Sequence, residues 1–401
     1  MSLSADKSFK MKMRDMENAF KYRRIPYPKR SVELIAILAI SCTFFLFMHT
    51  NKLNSRLKEM EVKLQPSEFS ALGLTGNQIN SRESSRRDNI YTLHGTYQYL
   101  KSTGQLHTLT PRMLNNTEKA EIDILFFNRL EKVGSQSMST LLRALSQIHD
   151  FTYNIRVRTV GQALDSLEEQ RNLAEEILDY GIPNAFTMHR NFINFTQLDL
   201  PKPIYINLVR HPIEKVQSAY YYTRHPFIYN NGLLRNPNKQ TRPPAYFNLS
   251  FNDCVRAGKI PDCIFDPYVQ FNGDWRRFSM HFCGNRKVCG QFNSQTATQI
   301  AKRNIETEYA VVGSWEDTNI TLAVLERYIP RFFRGATEVF YSDPQRFHKN
   351  ATPHKHELDP DIEEKLKIQF SFEIELYNFC KQRLYKQYIA IKKEDMMKEY
   401  N

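Results

Sequence analysis

The sequence predicts an α/β protein whose central parallel sheet is flanked by helices and preceded by a membrane anchor and a stem. Apolar runs of strand length alternate with helical patterns from residue 121 onward, which is typical of a parallel sheet. Nearer the N-terminus, a longer apolar run is followed by a stretch rich in Ser, Asn and Gly that lacks periodicity. These patterns divide the chain into a cytoplasmic tail (1–31), a transmembrane signal anchor (32–50), a lumenal stem (51–120) and a globular domain (121–401).

The anchor is predicted from residues 32–48, "VELIAILAISCTFFLFM", and from the residues that flank them. Lys and Arg outnumber Asp and Glu before this run, which keeps the N-terminus of a first span in the cytoplasm. No small-residue cleavage site follows, so a retained anchor is favoured over a cleaved signal peptide. The run is short for a membrane span, and a buried core helix is the alternative. An anchor of this orientation makes the chain a single-pass type II protein with a lumenal domain.

Sequons and cysteines agree with a lumenal location. Two pairs of closely spaced cysteines indicate two small disulfide loops in an oxidising compartment, Cys254 with Cys263 and Cys283 with Cys289. A zinc site at the second pair is the alternative, although its spacing matches no tight zinc pattern. Cys380 has no obvious partner. Candidate N-glycosylation sites follow the anchor at Asn115, Asn194, Asn248, Asn319 and Asn350.

The first half of the globular domain contains three predicted strands and two predicted helices. "IDILFF" is apolar apart from Asp123, which indicates a buried strand, and a helical pattern follows it. The later runs "AFTMH" and "PIYINLV" indicate two further strands, separated from the first by an amphipathic helix. The predicted ranges are 122–127 and 136–148, then 161–180, 185–189 and 203–209.

The second half contains a proline-initiated helix, one more strand and a C-terminal helical region. Pro212 begins the helix "PIEKVQSAYYYTRH", because proline is favoured in the first turn. "YAVVGSWED" (309–317) indicates a strand that runs into a loop, and residues 360–389 indicate a helix with an apolar face. The net charge of +12 favours an anionic partner, whether nucleic acid, acidic lipid or acidic polysaccharide.

Ligands of parallel sheets bind where the strands end, and the loop "NRLEKVGSQS" follows the first predicted strand. The N–H groups at the start of the next helix favour an anion, and Lys132 adds a positive charge. Ser135 and Ser137 carry hydroxyl donors, while Gly134 lets the backbone approach a ligand. The loop lacks the nucleoside triphosphatase pattern because its Lys precedes the Gly. The alternative is an ordinary strand–turn–helix with a surface Lys.

Two further strand ends carry groups suited to phosphate or proton chemistry. Arg210 ends one strand, and Ser218 lies about two helical turns further along, so the pair suits a second phosphate. His189 ends another strand, where a neutral imidazole accepts a proton from a substrate hydroxyl. The alternatives are an Arg that caps its own sheet edge and a structural His.

Taken together, these motifs resemble the heparan sulfate and uronyl 2-O-sulfotransferases of the Golgi. The resemblance covers residues 121–390 and rests on "FFNRLEKVGSQS", "HRNFINF", "NLVRHPIEKVQSAYYY", the paired cysteines and "VVGSWED". It implies a P-loop-like sulfotransferase fold, with 3′-phosphoadenosine 5′-phosphosulfate as donor and the 2-hydroxyl of a uronic acid in a glycan as acceptor. It also implies a Golgi membrane location and a homo-oligomer, a trimer in the heparan enzymes. Neither a metal ion nor nucleic acid takes part in the implied reaction.

The resemblance also implies roles for individual residues. Arg210 and Ser218 would hold the 3′-phosphate, His189 would be the general base, and Arg129 would sit near the acidic sugar. The two cysteine pairs would be the family's two disulfides. Further sugar contacts are expected from Arg190, Arg224 and the aromatic run 220–222, for which a solvated basic face with core tyrosines is the alternative. The 5′-phosphosulfate would be held by Lys132 together with the loop residues Val133, Gly134, Ser135, Gln136 and Ser137.

Two positions depart from the pattern of the heparan enzymes. Glu131 stands where those enzymes have Pro, and Thr187 stands at the first position of their His-x-His pair. These changes motivate an alternative function, a non-catalytic lumenal protein that binds glycans on the same fold. A kinase-like phosphotransferase is a weaker alternative, because it requires a Gly-Lys-Ser/Thr loop and a magnesium-binding Asp.

Overall fold

The computed structural model describes residues 90–156, 166–235, 240–266, 278–343 and 355–399, together with positions 48, 164, 238, 346 and 347. At its centre is a five-stranded, entirely parallel sheet with strand order β2-β3-β1-β4-β5. The predicted α/β class with helices around a parallel sheet is therefore confirmed. The strands are β1 (Ile124–Asn128), β2 (Thr152–Arg156), β3 (Asn184–Met188), β4 (Ile204–Val209) and β5 (Tyr309–Ser314).

Four of the strands are buried along their whole length, and the fifth, β2, is a partly exposed strand at one edge of the sheet. Every residue of β1, β3, β4 and β5 is buried, as expected for strands that helices cover on both faces. The chain leaves β1 toward β2 and β3 on one side and leaves β4 toward β5 on the other side. A crevice therefore opens between the carboxyl ends of β1 and β4, the position at which such sheets bind ligands.

Helices and short 3₁₀ turns make up most of the remaining described chain. The 3₁₀ turns are Pro111–Leu114, Asn116–Lys119, Thr196–Leu198, Pro261–Cys263 and Lys287–Gly290. The α-helices are α1 (Leu93–Ser102), α2 (Gln105–Thr108), α3 (Ser135–His149), α4 (Leu167–Asp179), α5 (Pro212–Arg224), α6 (Pro226–Arg235), α7 (Pro244–Asn248), α8 (Phe251–Ala257), α9 (Ser279–Cys283), α10 (Gln295–Thr307), α11 (Thr318–Tyr328), α12 (Pro330–Phe333), α13 (Ala336–Ser342), α14 (Pro360–Gln369) and α15 (Ser371–Glu399).

Two predicted helices differ from the structure at their ends. Helix α4 begins at Leu167 rather than at 161, because Ser166 and Glu169 form a capping box with N···O distances of 3.0 and 3.2 Å. The predicted helix 360–389 is two helices, α14 and α15, separated at Phe370. The side-chain oxygen of Asn293 accepts a hydrogen bond from the Phe372 N–H at 2.8 Å, which gives α15 its own beginning.

The residues just before β1 pack on the C-terminal helix. Tyr97, Leu100 and Leu109 form a small buried cluster with Ile389 and Ala390 of α15. Tyr97, Leu100 and Leu109 lie in the range 51–120 that the sequence assigns to the stem. The boundary between stem and domain stays a prediction. In the part of the chain that the structure describes, no helix is both long and apolar enough to span a bilayer. The predicted anchor (32–50) lies outside the described residues except for Met48.

Both predicted disulfides are present. Cys254 is bonded to Cys263 and Cys283 to Cys289, so the zinc alternative for the second pair is wrong. Cys380 is an unbonded thiol buried in the main core, and burial raises its pKa well above the ordinary value. A buried thiol of raised pKa is chemically inert.

Candidate active site

The loop between β1 and α3 has a backbone conformation that few residues adopt. Lys132 and Gly134 both have positive φ, 62° and 81°. A Cβ atom added to Gly134 would lie 1.9 Å from the Trp315 ring, so the indole packs directly against this glycine. The backbone N–H of Trp315 donates a 2.9 Å hydrogen bond to the Val209 carbonyl at the end of β4, which helps to position this residue. Glycine at this position is therefore required both by conformation and by packing.

The side chain of Lys132 lies close to Tyr222 and to Arg210. Its ammonium is 3.8 Å from the centroid of the Tyr222 ring, a cation–π contact. Burial, followed by the charge of Arg210, lowers the pKa of Lys132 to about 8, while Glu131 acts in the opposite direction. Two cations in a partly buried crevice repel each other, and a bound anion would relieve that repulsion.

The two serines of the loop donate their hydroxyls to backbone carbonyls. Ser135 Oγ donates to Leu130 O at 2.7 Å, and Ser137 Oγ donates to Phe347 O. The Val133 side chain is buried and that of Gln136 is exposed. Within the described residues, no side chain caps the N-terminus of α3 at Gly134. The backbone N–H groups of this first turn are therefore free of a side-chain cap and can donate hydrogen bonds to a bound anion.

Arg210 lies between β4 and α5, and Ser218 lies on the buried face of α5. Arg210 Nη2 donates to Glu214 Oε2 at 3.2 Å, and Glu214 also forms an ion pair with Lys355. Burial raises the pKa of Glu214, but the hydrogen bond and charge of Lys355 and the charge of Arg210 outweigh it and lower the pKa. Ser218 is 2% exposed. The structure thus brings Arg210 beside Lys132, as two neighbouring phosphate sites require.

His189 is held at both ring nitrogens by Arg129. The Nδ1–H donates to the Arg129 carbonyl at 3.0 Å, and Arg129 Nε donates to His189 Nε2 at 2.9 Å. Because a carbonyl only accepts and a guanidinium only donates, the proton is on Nδ1 and the lone pair is on Nε2. Burial, then the charge of Arg129, lowers the pKa of His189 to about 4, with Lys215 adding to the effect. The imidazole is therefore neutral near pH 7, as a general base must be.

Of the other candidate sugar contacts, Arg224 is committed to the scaffold. Its buried guanidinium forms an ion pair with the partly exposed Asp262 at 3.1 Å and lies 3.5 Å from the centroid of the Tyr220 ring and 4.0 Å from that of Tyr246. This geometry favours a structural role over sugar binding. Arg190 is half-buried. Burial and then the charge of Arg156 lower its pKa, while the charge of Glu169 acts in the opposite direction. In the aromatic run 220–222, it is Tyr222 that contacts a predicted donor-site residue, Lys132.

The remaining predictions concern Thr187, a metal site and the candidate glycosylation sites. Thr187, at the position of the first family histidine, is fully buried in β3. No group of His, Cys, Asp or Glu side chains suited to a metal ion occurs among the residues that the structure describes. Glycosylation stays a prediction: the structure exposes Asn248 and Asn319, partly exposes Asn115 and Asn194, and does not describe Asn350.

The sequence reasoning did not assign roles to several residues of this site. Trp315 lies within the quoted "VVGSWED", so the motif contained it without showing that it covers Gly134. Ser139 accepts a hydrogen bond from Arg129 Nη1 at 3.0 Å, and Lys355 pairs with Glu214. These contacts join residues that are far apart in the sequence, so no local sequence pattern predicts them.

Comparison with known proteins identifies the family to which the chain belongs. The family model described as "Sulfotransferase family" matches residues 120–380. The chain is 43% identical to the uronyl 2-sulfotransferase homolog pip of Drosophila melanogaster, over 98% of this chain and 95% of that protein. It is 30% identical to heparan sulfate 2-O-sulfotransferase 1 of Xenopus laevis, over 64% of this chain and 69% of that one. It is 28% identical to human uronyl 2-sulfotransferase, over 65% of this chain and 62% of that one. The relationship predicted from the motifs is confirmed.

Proposed function

Because the chain belongs to the sulfotransferase family, we propose that it transfers a sulfuryl group from 3′-phosphoadenosine 5′-phosphosulfate to the 2-hydroxyl of a uronic acid in a glycosaminoglycan or glycoprotein glycan. The observation that carries this proposal is the meeting of Lys132, Arg210 and a neutral His189 at one edge of the sheet. Relatives that are named as uronyl and heparan sulfate 2-O-sulfotransferases support the position of transfer.

The residues present fit a donor with two phosphate groups. Lys132 and the uncapped first turn of α3 suit the phosphosulfate end, and Arg210 suits the 3′-phosphate. The mutual repulsion of these cations falls when an anion binds between them. The donor supplies the sulfuryl group and a nucleotide leaving group. Lys132 then acts as the cation that stabilises the charge developing on the leaving phosphate oxygen.

His189 handles the proton of the acceptor. As the sugar oxygen forms its bond to sulfur, the bond from sulfur to the 5′-phosphate oxygen breaks, and the bonding electrons remain on the phosphate. The hydroxyl proton moves to His189 Nε2, which carries the lone pair. A positioned base of this kind contributes about 10²- to 10⁴-fold to the rate.

The acceptor in this proposal is an anionic polysaccharide. The net charge of +12 attracts such a chain by long-range electrostatics, and Arg129 lies beside the base. The proposal includes a type II anchor in the Golgi membrane, a lumenal catalytic domain and assembly as a homo-oligomer. N-glycans on exposed sequons such as those of Asn248 and Asn319 would accompany that location.

Two observations favour a second candidate, a non-catalytic glycan-binding protein. The lone pair of the proposed base is engaged by Arg129, and Thr187 replaces a family histidine. A base whose lone pair stays hydrogen-bonded to Arg129 cannot accept the proton of an acceptor hydroxyl. Such a protein would bind a glycan without transferring sulfate to it.

Transfer of labelled sulfate by the full chain separates the two candidates. The protein is expressed in a secreting cell and given radiolabelled donor with desulfated heparan, chondroitin and dermatan chains and with secreted glycoproteins. We expect label on one acceptor class with wild type, and none with His189→Ala or Lys132→Ala. Glycan binding by a folded protein with neither transfer nor nucleotide binding would overturn the sulfotransferase proposal in favour of the second candidate.

A further inference from the structure

Arg129 uses two different groups to bind the two nitrogens of His189. Its carbonyl fixes the tautomer through Nδ1, and its side chain covers the lone pair at Nε2, with separations of 3.0 and 2.9 Å. The same guanidinium donates to Ser139 Oγ at 3.0 Å, and Arg129 is buried. A single residue therefore prepares the base chemically and also blocks it.

The blocked state is incompatible with proton transfer. While Arg129 Nε donates to Nε2, no lone pair is available for an acceptor hydroxyl. Protonation of the ring would also place an imidazolium against a guanidinium in a buried site, with the ammonium of Lys215 as a further neighbouring charge. The two charges that lower the pKa of the ring, those of Arg129 and Lys215, are both positive. The carboxylate of Glu131 already acts on Arg129, and an incoming anion would offer the guanidinium a second negative partner.

We propose that Arg129 is a positioning residue that covers His189 until the carboxylate of a uronic acid draws its guanidinium away and uncovers the base. This inference rests on the proposed function and deepens it, because it makes the acceptor's carboxylate a switch for the chemistry as well as a binding group. The bidentate geometry of guanidinium and carboxylate suits the exchange. Ser139 then loses one hydrogen bond, and the departing guanidinium removes the charge that opposes the imidazolium.

A chemical probe of His189 tests the covering without requiring transfer. Diethyl pyrocarbonate modifies unprotonated ring nitrogens, and peptide mapping by mass spectrometry assigns the modified site. We expect Arg129→Met to raise the modification rate of His189 at least about fivefold, because Nε2 loses its donor. His281, which is 1% exposed, serves as the internal reference and should stay slow if the fold is intact. Arg143→Met, an exposed arginine on α3, is the matched control and should leave the His189 rate unchanged.

The pH profile of transfer tests the switch itself. The acid limb of kcat/KM reports the base of the unliganded enzyme, and activity is lost as pH falls through its pKa. We expect this limb to move up from near pH 4 toward the ordinary imidazole pKa of 6.5 in Arg129→Met, because one positive neighbour is gone. Arg129→Lys keeps a positive charge near the ring and should leave the limb low.

A carboxyl-reduced acceptor completes the test. Wild type should lose at least about tenfold in kcat on this neutral polysaccharide, whereas Arg129→Met should discriminate far less between the two acceptors. An unchanged His189 modification rate in a folded Arg129→Met protein would overturn the inference, even if wild type transfers sulfate. Absence of transfer by wild type, together with the expected modification rates, would overturn the proposed function and leave Arg129 as the cover of His189.

Discussion

At the scale of single residues, Gly134 combines a left-handed backbone with direct contact to an indole ring. An added methyl group would overlap Trp315 at 1.9 Å as well as strain a φ of 81°. We expect Gly134→Ala to abolish nucleotide binding, because the loop must shift to release the overlap. Its free energy of unfolding should fall by about 1–2 kcal/mol from strain, with about 1–3 kcal/mol more from overpacking.

Gly104 provides the matched control for this prediction. Its φ is 73°, but an added methyl group would have no heavy atom within 4 Å. Gly104→Ala should therefore show the strain cost alone and should bind nucleotide like wild type. Equal losses of stability in the two variants, measured by chemical unfolding, would show that the contact with Trp315 does not constrain the loop.

Lys132 gives the site a predictable response to alkaline pH. Its pKa is about 8 in the unliganded protein, and the protonated form binds a phosphate group more tightly. Affinity for the product 3′,5′-bisphosphate nucleotide should therefore fall as pH rises through 8. Glu131→Gln removes a charge that raises this pKa, so the fall should begin at lower pH.

Lys132→Arg is the control for the alkaline response, because a guanidinium stays charged throughout this range. Its nucleotide affinity should change little between about pH 7 and about pH 9.5. Titration calorimetry measures both variants directly. A wild-type affinity that is flat across the same range would show that Lys132 does not hold the nucleotide as an ammonium.

Sequence reasoning located the main polar groups of the site but not their contacts. Lys132, His189 and Arg210 each follow an apolar run, and the carboxyl ends of parallel strands share one edge of the sheet. The bonds between Arg129 and His189 join residues that directly follow two different strands, so no local spacing indicates them. The commitment of Arg224 to Asp262 is a similar case: a basic residue near a site was expected to face the ligand and is instead buried.

At the scale of secondary-structure elements, the buried strands were predictable, including β5 at one edge of the sheet, and the partly exposed β2 at the other edge was not. β1, β3, β4 and β5 are apolar runs because helices cover both of their faces. β2 has the sequence "TYNIR", is partly exposed and lacks that pattern, so it was missed. The break at Phe370 was also missed, because the Asn293 side chain that caps the first turn of α15 is distant in sequence.

The disulfide between Cys254 and Cys263 ties α8 to the following 3₁₀ turn. Both sulfur atoms belong to a small buried cluster that includes Ile213, Val216 and Tyr220 of α5. Removing the bond as Cys254→Ala with Cys263→Ala should lower the free energy of unfolding by about 2–3 kcal/mol, through the lost closure of a short loop. The bond lies behind α5, so nucleotide affinity well below the unfolding midpoint should stay within about twofold of wild type.

Chemical unfolding with and without a reducing agent checks this element-scale prediction. Reductant should lower the midpoint of wild type by more than that of the double variant, since the variant has one disulfide fewer to lose. A variant whose nucleotide affinity drops as steeply as its stability would mean that the cluster around α5 positions Arg210 directly.

At the scale of the whole molecule, α15 connects parts of the chain that are far apart in sequence. Its residues Leu376, Cys380 and Leu384 lie in the main core beneath the sheet, and Ile389 and Ala390 pack on the segment before β1. The first turn of α15 contacts the start of α9. The helix is buried along much of its length, which explains why its hydrophobic residues surround it rather than form a single stripe.

Glu373, in the first turn of α15, is a fully buried carboxyl group that caps α9. It accepts hydrogen bonds from the N–H groups of Phe278 and Ser279 at 3.0 and 2.8 Å, and from Ser279 Oγ at 2.7 Å. Burial raises its pKa, while these bonds and the charge of Lys215 act against the rise. Lys215, 1% exposed on α5, also contributes to the low pKa of His189, so this carboxyl lies behind the site.

Replacing Glu373 should therefore affect both stability and the base. Glu373→Leu leaves the buried ammonium of Lys215 without this neighbouring carboxyl and the start of α9 uncapped, so the free energy of unfolding should fall by about 3–5 kcal/mol. Glu373→Gln keeps an acceptor for the two N–H groups and should cost less. Glu373→Gln also removes the carboxyl that acts on Lys215, and removing a negative charge cannot raise the pKa of a nearby base, so the acid limb of kcat/KM should not rise in this variant. A rise would mean that Lys215 loses its proton when this carboxyl is removed, so that its charge no longer lowers the pKa of His189.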